Sequence, residues 1–495
     1  MREIEKIANL RNRQMPFVCG RNNLSRIFVL GVVSLLPSCA VGPDYVTPEL
    51  QTPKDYVQGQ RPEFALEPAE ITWWKGFGDQ TLNELIEQAV SANSDVLQSL
   101  SRINQSRAIA EEAFSELLPG TQLNGSYNKG RGTTSRFPGA SADGFKYEVY
   151  SGSIDAAWEI DIFGRLRRQF EAKNADYAAS VAGLENAIRM VVAEVGKTYF
   201  ELRGSQAELA VSQANIAIQE ETLSIVRVKY EAGAVSELDA AQALTQLEQT
   251  RANVPPIEGA IKVYIHRLGV LLGKYPGELY DQLWAEQKIP QYKAVVSLGH
   301  PEDLLKRRPD IRAAERSLAS YTAAIGMTEG ELYPKITFGA SIGVEGPDVP
   351  SLKQGAGIYS FGPKISWNPL DNGGIHSRIK AAGARAEEAL YVYEQTVLRA
   401  AEDVENALVL FTTEQRRNAQ LLKALDASKK AHALAKVQYQ EGLLDLLSVL
   451  TTQSSMLQNE DALSRSSRNL AIAIVAIYKA LGGGWEAWDL VSKQD

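Results

Sequence analysis

Two residues in this chain have the type and setting for covalent chemistry, and they lie far apart. Cys39 ends the stretch Leu36-Pro37-Ser38-Cys39, with an aliphatic residue three places before it and a small one directly before. That is the lipobox pattern, at which a bacterial leader is cut and the thiol acylated. Acyl chains contribute about 0.8 kcal/mol per buried methylene, so several chains hold a protein on a membrane. The second candidate is Ser341, in Gly339-Ala340-Ser341-Ile342-Gly343, which fits the G-x-S-x-G of a nucleophile elbow. The elbow needs a sharp strand-to-helix turn, whereas the apolar alternation here runs straight on to Val344. His266, His300, His376 and His432 are scattered and show no metal-ligand spacing; each reads as a surface or packing histidine. The run Gly482 to Gly484 lacks the Lys-Ser/Thr of a phosphate loop. The expectation is a protein that is not an enzyme and has no metal or cofactor, with a covalent lipid (N-acyl and S-diacylglycerol) on Cys39.

The residues before Cys39 are those of a leader. Arg2, Lys6, Arg11, Arg13, Arg21 and Arg26 are followed by the ten-residue apolar segment Ile27 to Leu36. A bilayer-spanning helix takes about 20 apolar residues, so residues 1–38 read as a signal peptide rather than an anchor. The competing reading is an ordinary signal peptide whose cysteine falls near the cut. The other cysteine, Cys19, lies inside the leader, so no disulfide is expected after processing. The chain of 495 residues is 44% hydrophobic and 23% charged, enough to bury a core. Removing six basic and two acidic residues with the leader takes the net charge from -8 to -12, which argues against nucleic acid as a partner.

The elements that must carry these residues come in two copies. At an offset of 215, Ser115–Ser126 overlays Gly330–Ser341, matching Glu116 with Glu331, Leu117 with Leu332 and Pro119 with Pro334. Further on the offset is 209, pairing Trp158 with Trp367, Tyr230 with Tyr439, Gly233 with Gly442, Leu238 with Leu447 and Leu272-Gly273 with Leu481-Gly482. A constant register over more than a hundred residues indicates a duplication. Each copy reads helix, hairpin, very long helix, turn, helix. Residues 164–231 and 375–441 contain no proline and carry apolar residues at helical spacing: Ile188, Val191, Val195, Tyr199 and Leu202, then Leu398, Ala401, Val404, Leu408 and Phe411. Pro255-Pro256 is expected to break or kink the first returning helix. Ile336, Phe338, Ala340, Ile342 and Val344 alternate with polar or small residues, as do Tyr359, Phe361, Pro363, Ile365 and Trp367. Such strands suit a transmembrane barrel, or equally a half-buried soluble sheet. Four strands cannot close, and open edges cannot sit in lipid, so two copies sharing eight strands or three sharing twelve both remain open.

The motifs Cys39-Ala-Val-Gly-Pro-Asp-Tyr, "WWKGFGDQTLNELI" from Trp73, "KYEAGAVSELDAAQA" from Lys229, "RRPDIRAAE" from Arg307 and "YKALGGGW" from Tyr478 together resemble the outer-membrane factors, the TolC-like exit ducts, in their lipoprotein branch. The resemblance implies a mainly α fold with a membrane β-barrel: a homotrimer in which a trimeric α-helical barrel continues a shared 12-stranded transmembrane barrel, with two tandem repeats per chain. It implies a lipid-anchored extended segment over 39–78, repeat 1 over 79–273 with its hairpin at 119–158, an equatorial connector over 274–299, repeat 2 over 300–482 with its hairpin at 334–367, and a tail over 483–495. It places the protein in the cell outer membrane, reaching into the periplasm, as the exit channel of a tripartite efflux pump. The implied partners are outer-membrane lipid, a periplasmic adaptor and an inner-membrane pump of the resistance-nodulation-division class. An exit duct for type I secretion and a structural coiled-coil lipoprotein are the alternatives.

The resemblance also locates a gate at the periplasmic helix tips, after the turns Tyr230 to Gly233 and Tyr439 to Gly442, whose glycines mark adaptor-contact turns. Leu447 matches a constricting leucine of the lipoprotein branch. Thr451 stands where many relatives carry a pore-facing aspartate, and Leu444 where the best-known relative has an arginine that locks neighbouring helices. Glu231 therefore lacks that partner, and closure is expected to be apolar, helped by polar contacts of Tyr230, Tyr439 and Asp445.

Overall fold

The computed structural model describes residues 40–50, 53–132, 145–350 and 356–488. After a short strand β1 (Phe64–Ala65), helices α1 (Gln80–Ala92) and α2 (Ser94–Ser115) lead into strands β2 (Gly120–Gly132) and β3 (Phe145–Glu159), then into α3 (Arg165–Glu231) and α4 (Glu237–Leu271). A connector holds the one-turn helix α5 (Tyr280–Leu283) and strand β4 (Val296–Ser297), which pairs in parallel with β1. The series then repeats: α6 (Asp303–Arg307), α7 (Pro309–Glu329), β5 (Lys335–Gly346), β6 (Ala356–Ser366), α8 (Asn372–Gln440) and α9 (Leu446–Ala480).

Helices α3 and α8 have 67 and 69 residues, about 100 Å each at 1.5 Å per residue. Both are free of proline, and their apolar positions face inward. Ile188, Val191, Val195, Tyr199 and Leu202 are buried, as are Val404, Leu408 and Phe411. Leu398, expected on that same face, is instead 71% exposed in the single chain. Of the break or kink expected at Pro255-Pro256, a break does not occur, because α4 runs through both prolines. They lie on its exposed side, where the carbonyls they leave without a backbone donor can be hydrated.

The duplication is visible atom by atom. The indole Nε1 groups of Trp158 and Trp367 donate to the carbonyls of Leu117 and Leu332, both at 3.0 Å. Gln169 donates to Glu116 at 3.0 Å, and Arg378, at the matching place, donates to Glu331 at 2.8 Å. Asn93 donates to the Leu271 carbonyl at 2.9 Å, while its counterpart Arg308 reaches the Ala480 carbonyl at 3.1 Å. In each repeat a side chain at the start of a short helix satisfies carbonyls that the end of the returning helix leaves open.

The main core lies where α1, α3, α4, α7, α8 and α9 meet. The WWKGF turn at Trp73–Phe77 is its keystone, with Trp73, Trp74 and Phe77 all buried. Trp73 stacks on Tyr478 with centroids 5.7 Å apart, Trp74 on Trp488 at 5.1 Å, and Phe77 tilts against Phe200 at 4.5 Å. Asp79 caps α1 through the Leu82 amide and accepts the Tyr199 hydroxyl at 2.7 Å. Aromatic pairs of this kind add about 0.5–1.5 kcal/mol each beyond the area they bury.

The segment from Ala40 onward runs along the outside of these helices. Val41 donates its amide to the Phe163 carbonyl, Arg168 holds Val41, Gly42 and Asp44, Tyr45 donates to Glu315, and the Val57 amide reaches Glu405. Cys39 lies outside the described residues. Among the described residues no helix is long and apolar enough to cross a membrane.

Candidate functional site

Two places in the chain expose features that the rest of the fold leaves uncovered. The first is the four-stranded antiparallel sheet, ordered β2-β3-β5-β6. Its register sorts the alternation seen in the sequence into two chemically distinct faces. Leu123, Ile154, Ile342 and Tyr359 form one row across all four strands, and each is more than half exposed. Trp158, Phe338 and Pro363 form another row on that face. Tyr127 and Tyr150 close one end of it with ring centroids 4.6 Å apart.

The opposite face is polar. Asp155 accepts from Asn124, Ser153 and Ser341 near its middle, and Ser341 pairs with Ser360 across the β5–β6 ladder. Ser341 therefore sits in mid-strand, and the G-x-S-x-G run makes no elbow. Strands β2 and β6 are the two edges. Among the described residues no helix covers the apolar face, and its side chains are largely exposed.

The second place is the pair of helix tips. The α3–α4 and α8–α9 turns have one geometry. Gly233 donates to Tyr230 and Ala234 to Lys229; Gly442 donates to Tyr439 and Leu443 to Gln438, at 2.8 to 3.1 Å. This is the Schellman ending, with glycine in the left-handed conformation, φ +71° and +74°. The next helices start from equivalent caps. Ser236 and Asp239 form a capping box on α4, and the Asp445 carboxylate accepts the Ser448 amide at 2.9 Å on α9. Those bonds to Ser448 hold the Asp445 carboxyl below its ordinary range.

A separate small cluster holds the tips together: Leu223, Val226, Ala243, Leu247, Ala435, Tyr439, Leu446, Val449 and Leu450. Leu444 packs half-buried against it, so it is a packing residue within the chain. Leu447 and its repeat partner Leu238 point away, 57% and 65% exposed. Thr451 is exposed and its hydroxyl returns to the Leu447 carbonyl. Glu231 is exposed, and Tyr230 is half-exposed.

The expected polar contacts at the gate are redistributed in one copy. Tyr439 is buried, its hydroxyl has no hydrogen-bond partner among the described residues, and its ring lies beneath Lys229. That ammonium sits 3.9 Å from the ring centroid and donates to the Tyr439 carbonyl at 3.2 Å. Asp445 is engaged as a helix cap. Lys229 was not singled out in the sequence, although its place directly before Tyr230, a turn from the helix end, is a usual one for a cation. Leu443, 77% exposed directly after a glycine cap, is a second residue the sequence pattern passed over.

Of the histidines, His266, His300 and His376 are exposed and His432 is buried above the tip cluster. Burial, with the Lys436 charge nearby, pushes the His432 imidazole below its ordinary pKa. Among the described residues no group of three or more His, Cys, Asp or Glu side chains is placed to hold a metal ion.

Residues 85–274 and 300–483 match the family model described as outer membrane efflux protein. Over 458 residues the chain is 30% identical to nodulation protein T of Rhizobium leguminosarum bv. trifolii, covering 91% of this chain and 96% of that protein. It is 29% identical over 468 residues to outer membrane protein OprJ of Pseudomonas aeruginosa, covering 93% and 96%. The solved structure of the outer-membrane channel OprN matches with a TM-score of 0.86 at 34% identity, over 90% of this chain and 100% of that one. The open state of the Neisseria gonorrhoeae MtrE outer membrane channel matches at 0.76 and 25% identity, over 90% and 99%.

Proposed function

The chain belongs to the outer membrane efflux protein family and is an outer-membrane efflux channel, and on that premise we propose that three copies share one barrel and one helical tunnel. The observation that carries this reading is the four-stranded sheet with an apolar face, a polar face and two open edges. Backbone groups on an open edge cannot be left in hydrocarbon, so the edges must pair with further copies. Eight strands would leave an interior that side chains fill. Twelve strands, from three copies, leave a lumen, and the polar face around Asp155 and Ser341 would line it.

Below the sheet the four long helices of each copy, twelve in all, continue the wall. Substrate handed over by an inner-membrane pump of the resistance-nodulation-division class would pass along this tunnel, with an adaptor docking at the turns of Gly233 and Gly442. Tip closure would then be apolar, with Leu238 and Leu447 of three copies converging. Their exposure at matched places, each the second residue of the helix that leaves its tip, supports that reading. A lipid on Cys39 would tether the segment that begins at Ala40 to the inner leaflet of the outer membrane. No reactive group is asked of the protein.

Electron microscopy of the detergent-extracted protein tests the assembly. A threefold cylinder well over 100 Å long is expected, because helices of this length lie along its axis; a twofold or compact particle would sink the shared twelve-stranded barrel. Labelling with radioactive palmitate tests the anchor, and label persisting in Cys39→Ser would refute it.

A further inference from the structure

Directly above the tip cluster the bundle carries a layer of buried polar side chains that the channel reading does not use. Asn215 and Gln219 on α3, His432 on α8 and Gln453 on α9 are 4, 2, 8 and 0% exposed. Gln219 lies four residues before Leu223, His432 three before Ala435, and Gln453 three after Leu450. Each therefore occupies the same helix face as the tip cluster, one turn further from the turns.

Ion pairs at either side fix the levels. Arg465 meets Glu208 at 2.7 Å and Lys429 meets Glu460 at 3.3 Å. Counting the antiparallel helices α3 and α9 toward the tips from the first pair brings Gln219 opposite Ser454, beside Gln453. Counting α8 against α9 from the second brings His432 to within about a turn of Gln453. Three helices thus deliver their polar residues to one level.

The layer is unsatisfied by protein. Asn215 Oδ1, His432 Nδ1 and both amide atoms of Gln219 and Gln453 have no hydrogen-bond partner among the described residues. A buried polar group left so costs about 1–3 kcal/mol, and two glutamines a turn from Leu223 and Leu450 are the opposite of what tight packing would place there. In native proteins such groups are usually met by internal water, which makes about three hydrogen bonds per molecule.

We propose that Asn215, Gln219, His432 and Gln453 form an internal water site, and that this wet layer is the seam along which the α8–α9 tip slides against α3 when the channel opens. The second half of the inference rests on the gate reading given above. An apolar contact must expose area to slide, whereas bridging waters can trade partners as the helices move. Below the seam only the small apolar cluster joins α8 and α9 to Leu223 and Val226 of α3, a far smaller contact than the main core above it.

Two measurements on the full-length channel in detergent test this. X-ray radiolysis in oxygen-18 water marks side chains touching bound water. Met456, one turn from Gln453 and 6% exposed, should take up label well ahead of the equally secluded Leu450, which is 8% exposed and one turn nearer the tip, after each rate is divided by that side chain's own reactivity toward hydroxyl radical in the unfolded chain. Equal, background labelling of both would overturn the water site, whatever any variant does. The second uses Gln219→Leu/Gln453→Leu, which makes the layer apolar. Amide exchange over 223–235 and 435–450 should slow about tenfold or more, with rarer openings in lipid bilayers. Exchange that is unchanged or faster in a folded variant would overturn the seam. Slower exchange with unchanged openings would leave the water site standing and remove its part in gating, which separates a failure of the inference from a failure of the gate reading.

Discussion

At the equator Trp73 lies flat on Tyr478, and a buried Arg308 holds Asp310 at 2.6 Å, Asp403 at 3.1 Å and the Ala480 carbonyl. Some thirty residues nearer the tip along α8, a nine-residue cluster, one ammonium over one ring and a layer of unpaired amides do the same work. The same helices thus pass through a densely bonded girdle and end in a lightly bonded mouth. Local stability follows the number of buried apolar contacts and satisfied polar groups, so the tips should open locally more readily than the core.

The largest effect should come from cutting the girdle. Arg308→Leu leaves Asp310 to Arg189 alone, takes the ion pair from Asp403 and removes the side-chain donor from the Ala480 carbonyl. A buried pair broken from one side costs about 3–5 kcal/mol, and loss of heat-resistant oligomer on gels is the expected readout. A stable, fully assembled variant would mean the equator is not the stronger region.

Lys229→Leu should cost less, about 1–2 kcal/mol, for one cation–ring contact and one hydrogen bond. The loss should be confined to the tips, read as faster amide exchange over 435–445 with the melting temperature of the whole channel little changed. Equal acceleration at the equator would erase the distinction between the regions.

Acid should loosen both regions, but in different windows. His432 has a lowered pKa in the fold, so its contribution is present above its ordinary value near 6.5 and is lost as pH falls below that. Asp310 is also lowered: burial opposes this, but Arg308 and Arg189 outweigh it. Its contribution persists until pH falls below the ordinary aspartate value of about 3.9. Exchange at the tips should therefore rise between about pH 7 and 5 while the equator holds until below about pH 4. Simultaneous loosening would contradict both assignments.

The smallest effect on stability, and one of the clearest on permeability, is expected for Leu447→Ser. An exposed side chain costs within about 0.5 kcal/mol, yet uptake of a large antibiotic such as vancomycin should increase. Unchanged uptake at normal expression would remove Leu447 from the seal.

Much of this architecture was legible in the residues. Ile188 to Leu202 repeat at the helical period because α3 buries one stripe against the core, and Ile336 to Val344 alternate because β5 has two different surroundings. Leu398 is exposed where burial was expected, and Pro255-Pro256 do not break α4, for a shared reason. Periodicity and proline chemistry are local, while exposure in the fold decides whether an apolar residue is buried or a freed carbonyl is tolerated. At the tips, Asp445 and Tyr439 were chosen for their chemistry, and the fold employs them as a helix cap and as the floor beneath Lys229.

The sequence by itself determined the duplication, the length of the two great helices, the turns at Gly233 and Gly442, and the two-faced strands, since each depends on neighbours within a few residues or on a constant offset. Only the tertiary structure decided that β3 pairs with β5 and joins both hairpins into one sheet, that Arg308 serves where repeat 1 uses Asn93, and that four polar residues from three helices are buried above the tips. Those are contacts between residues far apart in the chain. Their partners are selected by how helices and strands pack together, which no local pattern records.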